Sequence, residues 1–95
     1  MKIYTASRLS SGNKLFPTEL SLDDYALTIK HPGVYNSKSQ TVYFKNVSSI
    51  TIDSPLIGFS TITISTNGDG TLVADGFTKK EVNEIKTLIE EGKRR

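Results

Sequence analysis

Cysteine is absent from these 95 residues and histidine occurs once. Without cysteine there is no disulfide framework, no thiolate nucleophile and no cysteine-ligated metal. The single histidine, His31, would need a serine held against it for nucleophilic chemistry. Serines are plentiful, yet no nucleophile-elbow motif such as G-x-S-x-G positions one. Beside Pro32-Gly33, His31 is expected to be a turn residue. No apolar run approaches the roughly 20 residues that a membrane span needs. The first residues, Met1-Lys2-Ile3-Tyr4-Thr5-Ala6-Ser7-Arg8, lack the apolar stretch of a secretory leader, so the cytoplasm is the expected compartment. Concentrated charge is scarce too. Twelve Lys and Arg stand against ten Asp and Glu for a net charge of +2. Only Lys79-Lys80 and Lys93-Arg94-Arg95 form basic clusters, and the second is read first as complementing the negative end of a helix dipole. Dedicated electrostatic binders gather more charge on one face.

What the chain does have is alternation, over a length that fits one domain spanning 1–95. Glu19-Leu20-Ser21-Leu22 and Ala26-Leu27-Thr28-Ile29 flank Asp23-Asp24-Tyr25, which reads as a hairpin turn. His31-Pro32-Gly33 stops the second strand, and the polar stretch Asn36-Ser37-Lys38-Ser39-Gln40 leads into a strand at Thr41-Val42-Tyr43-Phe44-Lys45. Lys45-Asn46 turns into Val47-Ser48-Ser49-Ile50-Thr51-Ile52-Asp53. Phe59-Ser60-Thr61-Ile62-Thr63-Ile64-Ser65-Thr66 is the clearest strand, with Ile62 and Ile64 on one face and threonines on the other, as in an antiparallel sheet with one dry face. Asn67-Gly68-Asp69-Gly70 reads as a hairpin loop into Thr71-Leu72-Val73-Ala74-Asp75-Gly76. It lacks the alternating acids and distal glutamate of a calcium loop. A further strand is expected near Ile3 to Leu9.

One amphipathic helix closes the chain, expected over 78–92 with Gly92 as its end. Thr78 and Glu81 match the capping-box pattern, and Phe77 and Val82 stand at the positions of a hydrophobic staple. Val82, Ile85, Leu88 and Ile89 form one apolar stripe, read as core, because so small an antiparallel sheet needs a lid. The expected fold is mostly β: a barrel or sandwich of six to seven strands with one C-terminal helix.

This pattern resembles a bacterial pleckstrin-homology-like domain over 15–92. The resemblance rests on the opening hairpin from Glu19 to Ile29, on Tyr43-Phe44-Lys45-Asn46-Val47-Ser48-Ser49-Ile50, on Gly58-Phe59-Ser60-Thr61-Ile62-Thr63-Ile64, and on Gly76-Phe77-Thr78 before the helix. It implies two nearly orthogonal antiparallel sheets with the helix plugging one end. It also implies an interaction module, since similar domains bind lipids, peptides or copies of themselves. Lipid-binding members carry clustered Lys and Arg around the first hairpin loop. Here that loop is either the acidic Asp23-Asp24 or Ser10-Ser11-Gly12-Asn13-Lys14, with only Lys14 and Arg8 at hand, so no lipid-binding residue is carried over.

The leading functional expectation is a non-catalytic interaction or assembly module that binds protein or itself, with no cofactor, metal or small-molecule substrate. Asp23 and Asp24, adjacent in a turn, point apart and make a poor acid/base pair. The candidate protein contacts are Leu56, Ile57, Tyr35 and Tyr43. Leu56 and Ile57 are expected to fold inward and plug the sandwich, the alternative being an exposed contact patch. The second expectation is peripheral binding to anionic membrane lipid through Lys79, Lys80, Lys93, Arg94 and Arg95. Single-stranded nucleic acid ranks third, with Tyr43 and Lys45 on one face as its support.

Overall fold

The computed structural model describes residues 2–7, 17–31, 38–68 and 70–94. Among the described residues seven strands precede one helix: β1 Lys2–Thr5, β2 Glu19–Leu22, β3 Ala26–His31, β4 Lys38–Tyr43, β5 Val47–Asp53, β6 Ser60–Thr66, β7 Thr71–Phe77 and α1 Lys79–Lys93. They form two antiparallel sheets, β1-β2-β3-β4 and β5-β6-β7, each in sequence order. The mostly-β expectation with one closing helix is therefore met. Among the described residues the ladders do not join into a closed barrel, so the architecture is a pair of facing sheets. Single backbone bonds stitch the corners. Ser7 N donates to the Gly76 carbonyl, Asn67 N to the Asn46 carbonyl and Phe44 N to the Tyr25 carbonyl, each at 2.8 Å.

The core follows from the alternation. Leu20, Leu22, Leu27, Ile29 and Val42 from the first sheet meet Val47, Ile62, Ile64, Leu72 and Ala74 from the second. The helix lies over them with Val82, Ile85 and Ile89 fully buried and Leu88 packed partly against the same cluster. The stripe is thus core, as its spacing required. Among the described residues no helix is long and apolar enough to cross a membrane.

Two β-bulges and one short turn re-aim the chain. At the end of β7, Ser60 pairs with Phe77 and Thr61 with Asp75, which leaves Gly76 as an extra residue. Gly76 adopts φ 92°, a conformation that side chains rarely take. The bulge breaks the in–out alternation so that Phe77 is buried and Thr78 is free to cap the helix. A second register shift falls between Val47 and Ser49. Between the sheets, Phe44–Asn46 is a 3-10 turn, not the continuation of β4 that the sequence implied, and it drops the Phe44 ring into the core.

Other boundaries also moved. Strand β4 begins at Lys38, inside the stretch read as a polar lead-in, because it is a sheet edge whose exposed residues leave no alternation to read. His31 closes β3, paired with Lys38, and is not a turn residue. The predicted N-terminal strand exists as β1, while Arg8 and Leu9 lie outside the described residues. Gly92 does not end the helix, which runs on to Lys93 with Arg94 as its C-cap.

Candidate functional site

The helix termini decide where the basic residues go. Thr78 Oγ1 accepts from Glu81 N at 3.2 Å, and Glu81 Oε1 accepts from Thr78 N at 2.9 Å, so the predicted capping box is complete. Lys79 and Lys80 follow it, exposed, in the first turn. Lys93 and Arg94 are exposed at the opposite terminus. At 1.5 Å per residue, Lys79 and Lys93 are roughly 20 Å apart along the axis. The basic residues proposed as one membrane contact are therefore two separate pairs, with Arg95 outside the described residues.

The first pair shares an end of the molecule with the β5–β6 loop. Because Ser60 at the start of β6 pairs with Phe77, the loop that precedes Ser60 lies beside the junction leading into α1. Ser54 and Ser60 hydroxyls, 2.9 Å apart, close the base of this loop. At its tip Leu56 and Ile57 are fully in water, at 106% and 93% relative exposure. The expectation that they fold inward is overturned. The apolar side chains buried beside this junction are instead Phe77, which pairs with Ser60, and Val82, both at 0% exposure.

At the other end of α1 a cleft of about 270 Å³ is lined by Tyr25, Tyr43, Phe44, Lys45, Gly92 and Lys93. Asp23 sets Tyr25 there: its carboxylate accepts from Tyr25 N at 2.8 Å and from Ala26 N at 2.7 Å, fixing the β2–β3 turn. The Tyr25 carbonyl then holds Phe44 N. Tyr43 ends β4 opposite Ala26. Both tyrosines are largely exposed, at 70% and 57%, whereas the Phe44 ring is buried and forms the floor with Gly92. A Cβ on Gly92 would overlap Cδ2 of Phe44 and come within 2.6 Å of Cε2, so the backbone approaches the ring more closely than a side chain permits. Lys45 Nζ stands 5.9 Å from the centroid of the Tyr43 ring, within cation–π range.

Of the sequence-predicted contacts, Tyr43 and Lys93 meet in this cleft, Leu56 and Ile57 stand at the far end, and Tyr35 lies outside the described residues. Tyr25 was missed, although an aromatic in an Asp-Asp-Tyr turn is a poor turn former and could have been flagged. A wider groove of about 720 Å³ runs between β3–β4 and β7, bordered by Ile29, His31, Lys38 and Val73. His31 Nδ1 is 3.2 Å from the Thr18 hydroxyl. Among the described residues no group of three or more His, Asp or Glu is placed to hold a metal ion. Tyr4 donates to Glu84 Oε2 at 3.5 Å, and burial, then the Glu84 charge, pushes its phenol above the ordinary value of 10.0.

Compared with known proteins, the chain matches no protein-family model and no curated protein.

Proposed function

We propose that this chain is a non-catalytic, cytoplasmic interaction module on a pleckstrin-homology-like scaffold, and that it associates with itself or another protein. The observation that carries the reading is the β5–β6 tip, where two adjacent aliphatic side chains stand wholly in water. Single exposed apolar residues are ordinary, but a paired, protruding Leu-Ile loses hydration cost only when something covers it. The order of four strands, three strands and a closing helix supports the scaffold assignment. Light scattering from micromolar to near-millimolar protein tests the assembly part. A mass that rises with concentration and falls back to monomer in Leu56→Asp is expected. A wild-type chain that stays monomeric throughout rejects self-association.

A second reading, docking to anionic lipid, draws on Lys79 and Lys80 lying at the same end as the tip. Asp53, which ends β5, and Asp75, two residues before the end of β7, lie toward that end and weaken it. Sedimentation with anionic vesicles across salt decides: a lack of preference over neutral vesicles at low salt ends this reading.

A further inference from the structure

We propose that the cleft between the β2–β3 turn, the 3-10 turn and the end of α1 binds an acidic peptide segment by taking one large apolar or aromatic side chain. The inference rests on the interaction-module reading but concerns the opposite end of the helix from the Leu56–Ile57 tip. The cleft has the parts of an anchor pocket. Its floor is the buried Phe44 ring against bare Gly92 backbone, its walls are Tyr25 and Tyr43, and its rim carries Lys45 and Lys93, with Arg94 next in sequence. At about 270 Å³ it holds a single bulky side chain and no more. Tyrosine suits such a wall because its ring gives apolar area at low entropic cost while its hydroxyl stays wet.

Charge complementarity fixes the sign of the partner. Lys45 and Lys93 flank the mouth, and Lys45 already stands near the Tyr43 ring, so a carboxylate reaching it meets a cation held near one place. Asp23, whose Oδ1 accepts from two backbone donors, is held in the turn and does not line the cleft, whose charged lining residues are Lys45 and Lys93. A nucleic-acid strand fits less well: it needs a continuous basic track, and the next lysine pair is roughly 20 Å away along α1. A lipid surface fits less well too, since no aliphatic side chain projects from this cleft as Leu56 and Ile57 do from the tip.

The test is fluorescence anisotropy with a labelled peptide carrying one central tryptophan between runs of glutamate, at about 20 mM salt where screening is weak. Saturable binding is expected, weakening when glutamine replaces glutamate or alanine replaces tryptophan. The double variant Lys45→Glu/Lys93→Glu and, separately, Tyr43→Ala should each lower affinity about tenfold or more, as loss of a charge pair or an aromatic anchor does. Lys38→Glu, a single charge reversal at the far end of β4, should bind normally. Circular dichroism confirms that each exposed-site variant is folded. No saturation up to millimolar peptide overturns the proposal, as does undiminished binding by both variants. An oligonucleotide or anionic vesicle that competes as well as the peptide and depends on the same residues would reassign the cleft. Concentration-dependent association lost in Leu56→Asp would stand untouched by any of these failures, so the two readings fall separately.

Discussion

Gly92→Ala tests the closest packing in the molecule. On helix propensity alone the change should stabilise, by up to about 1 kcal/mol in a helix interior and less in a last turn. The structure predicts the opposite sign. The new methyl group would overlap the Phe44 ring, lying within 2.6 Å of Cε2 and 3.1 Å of Cγ. Phe44 is only 2% exposed and packs into the core cluster beneath the cleft, so the ring cannot give way without disturbing its neighbours. Overpacking of this kind costs roughly 1–3 kcal/mol. Set against the propensity gain, a net loss of about 1 kcal/mol follows, worth about 4–8 °C in a domain of this size. Two outlets exist: the ring shifts, or the last turn from Gly92 to Arg94 unwinds. Urea denaturation followed by circular dichroism reads the stability, and the native helical signal separates the outlets. The cycle with Phe44→Leu is decisive. In that background Gly92→Ala should be neutral or favourable, giving a coupling of about 1 kcal/mol or more. A wild-type background in which Gly92→Ala stabilises would refute the contact, and with it the floor of the cleft.

The capping box makes Thr78→Ala cost about 1 kcal/mol in the same denaturation assay, with Glu81→Ala showing part of the same loss because the two bonds are reciprocal. Ile85→Ala, at a fully buried position between sheet and helix, should cost about 2–5 kcal/mol by urea midpoint. Tyr4 gives a pH dependence. Its phenol is raised in the folded chain, so the unfolded chain loses its proton first, and stability is complete below pH 10 and falls as pH rises toward the folded value. Tyr4→Phe should flatten that alkaline fall when denaturation curves are compared from pH 8 to pH 11. Leu56→Asp should leave the midpoint within about 0.5 kcal/mol of wild type, since the side chain touches no core, and a larger loss would mean that the tip is packed.

Where the pattern was periodic, the sequence was readable. Thr-Ile alternation fixed β6, the spacing of Val82, Ile85 and Ile89 fixed the buried face of α1, and Thr78 with Glu81 fixed its start. Each of these is a local signal with its cause inside one element. The failures share the opposite property. Gly92 reads as a helix terminator by conformational preference, yet it is glycine because Phe44, distant in sequence, occupies the space where a Cβ would go. Phe44 itself continues an alternating strand on paper, while in the fold the corner between the sheets needs a 3-10 turn. Lys38-Ser39-Gln40 looks like loop because an edge strand with water on its outer side carries no apolar phase. The cleft was illegible as a unit, since Tyr25, Tyr43 and Gly92 come together only through the β3–β4 register and the seating of α1 on the 3-10 turn.

The helix does more than cover the sheets; it sets the distance between the two candidate contact surfaces. Its first turn lies beside the Leu56–Ile57 tip because Phe77 pairs with Ser60, and its last turn meets Phe44 because Gly92 lets it. Between them Val82, Ile85 and Ile89 are each sealed at 0% exposure, so the helix is a stiff spacer held against the sheets along its length. Among the described residues no side chain lines both the cleft and the tip. Sites separated in this way and sharing no partner perturb each other by only about 0.3–0.5 kcal/mol. Variants at the aromatic, basic end and at the aliphatic end should therefore act independently, so the two proposed contacts can be tested one at a time.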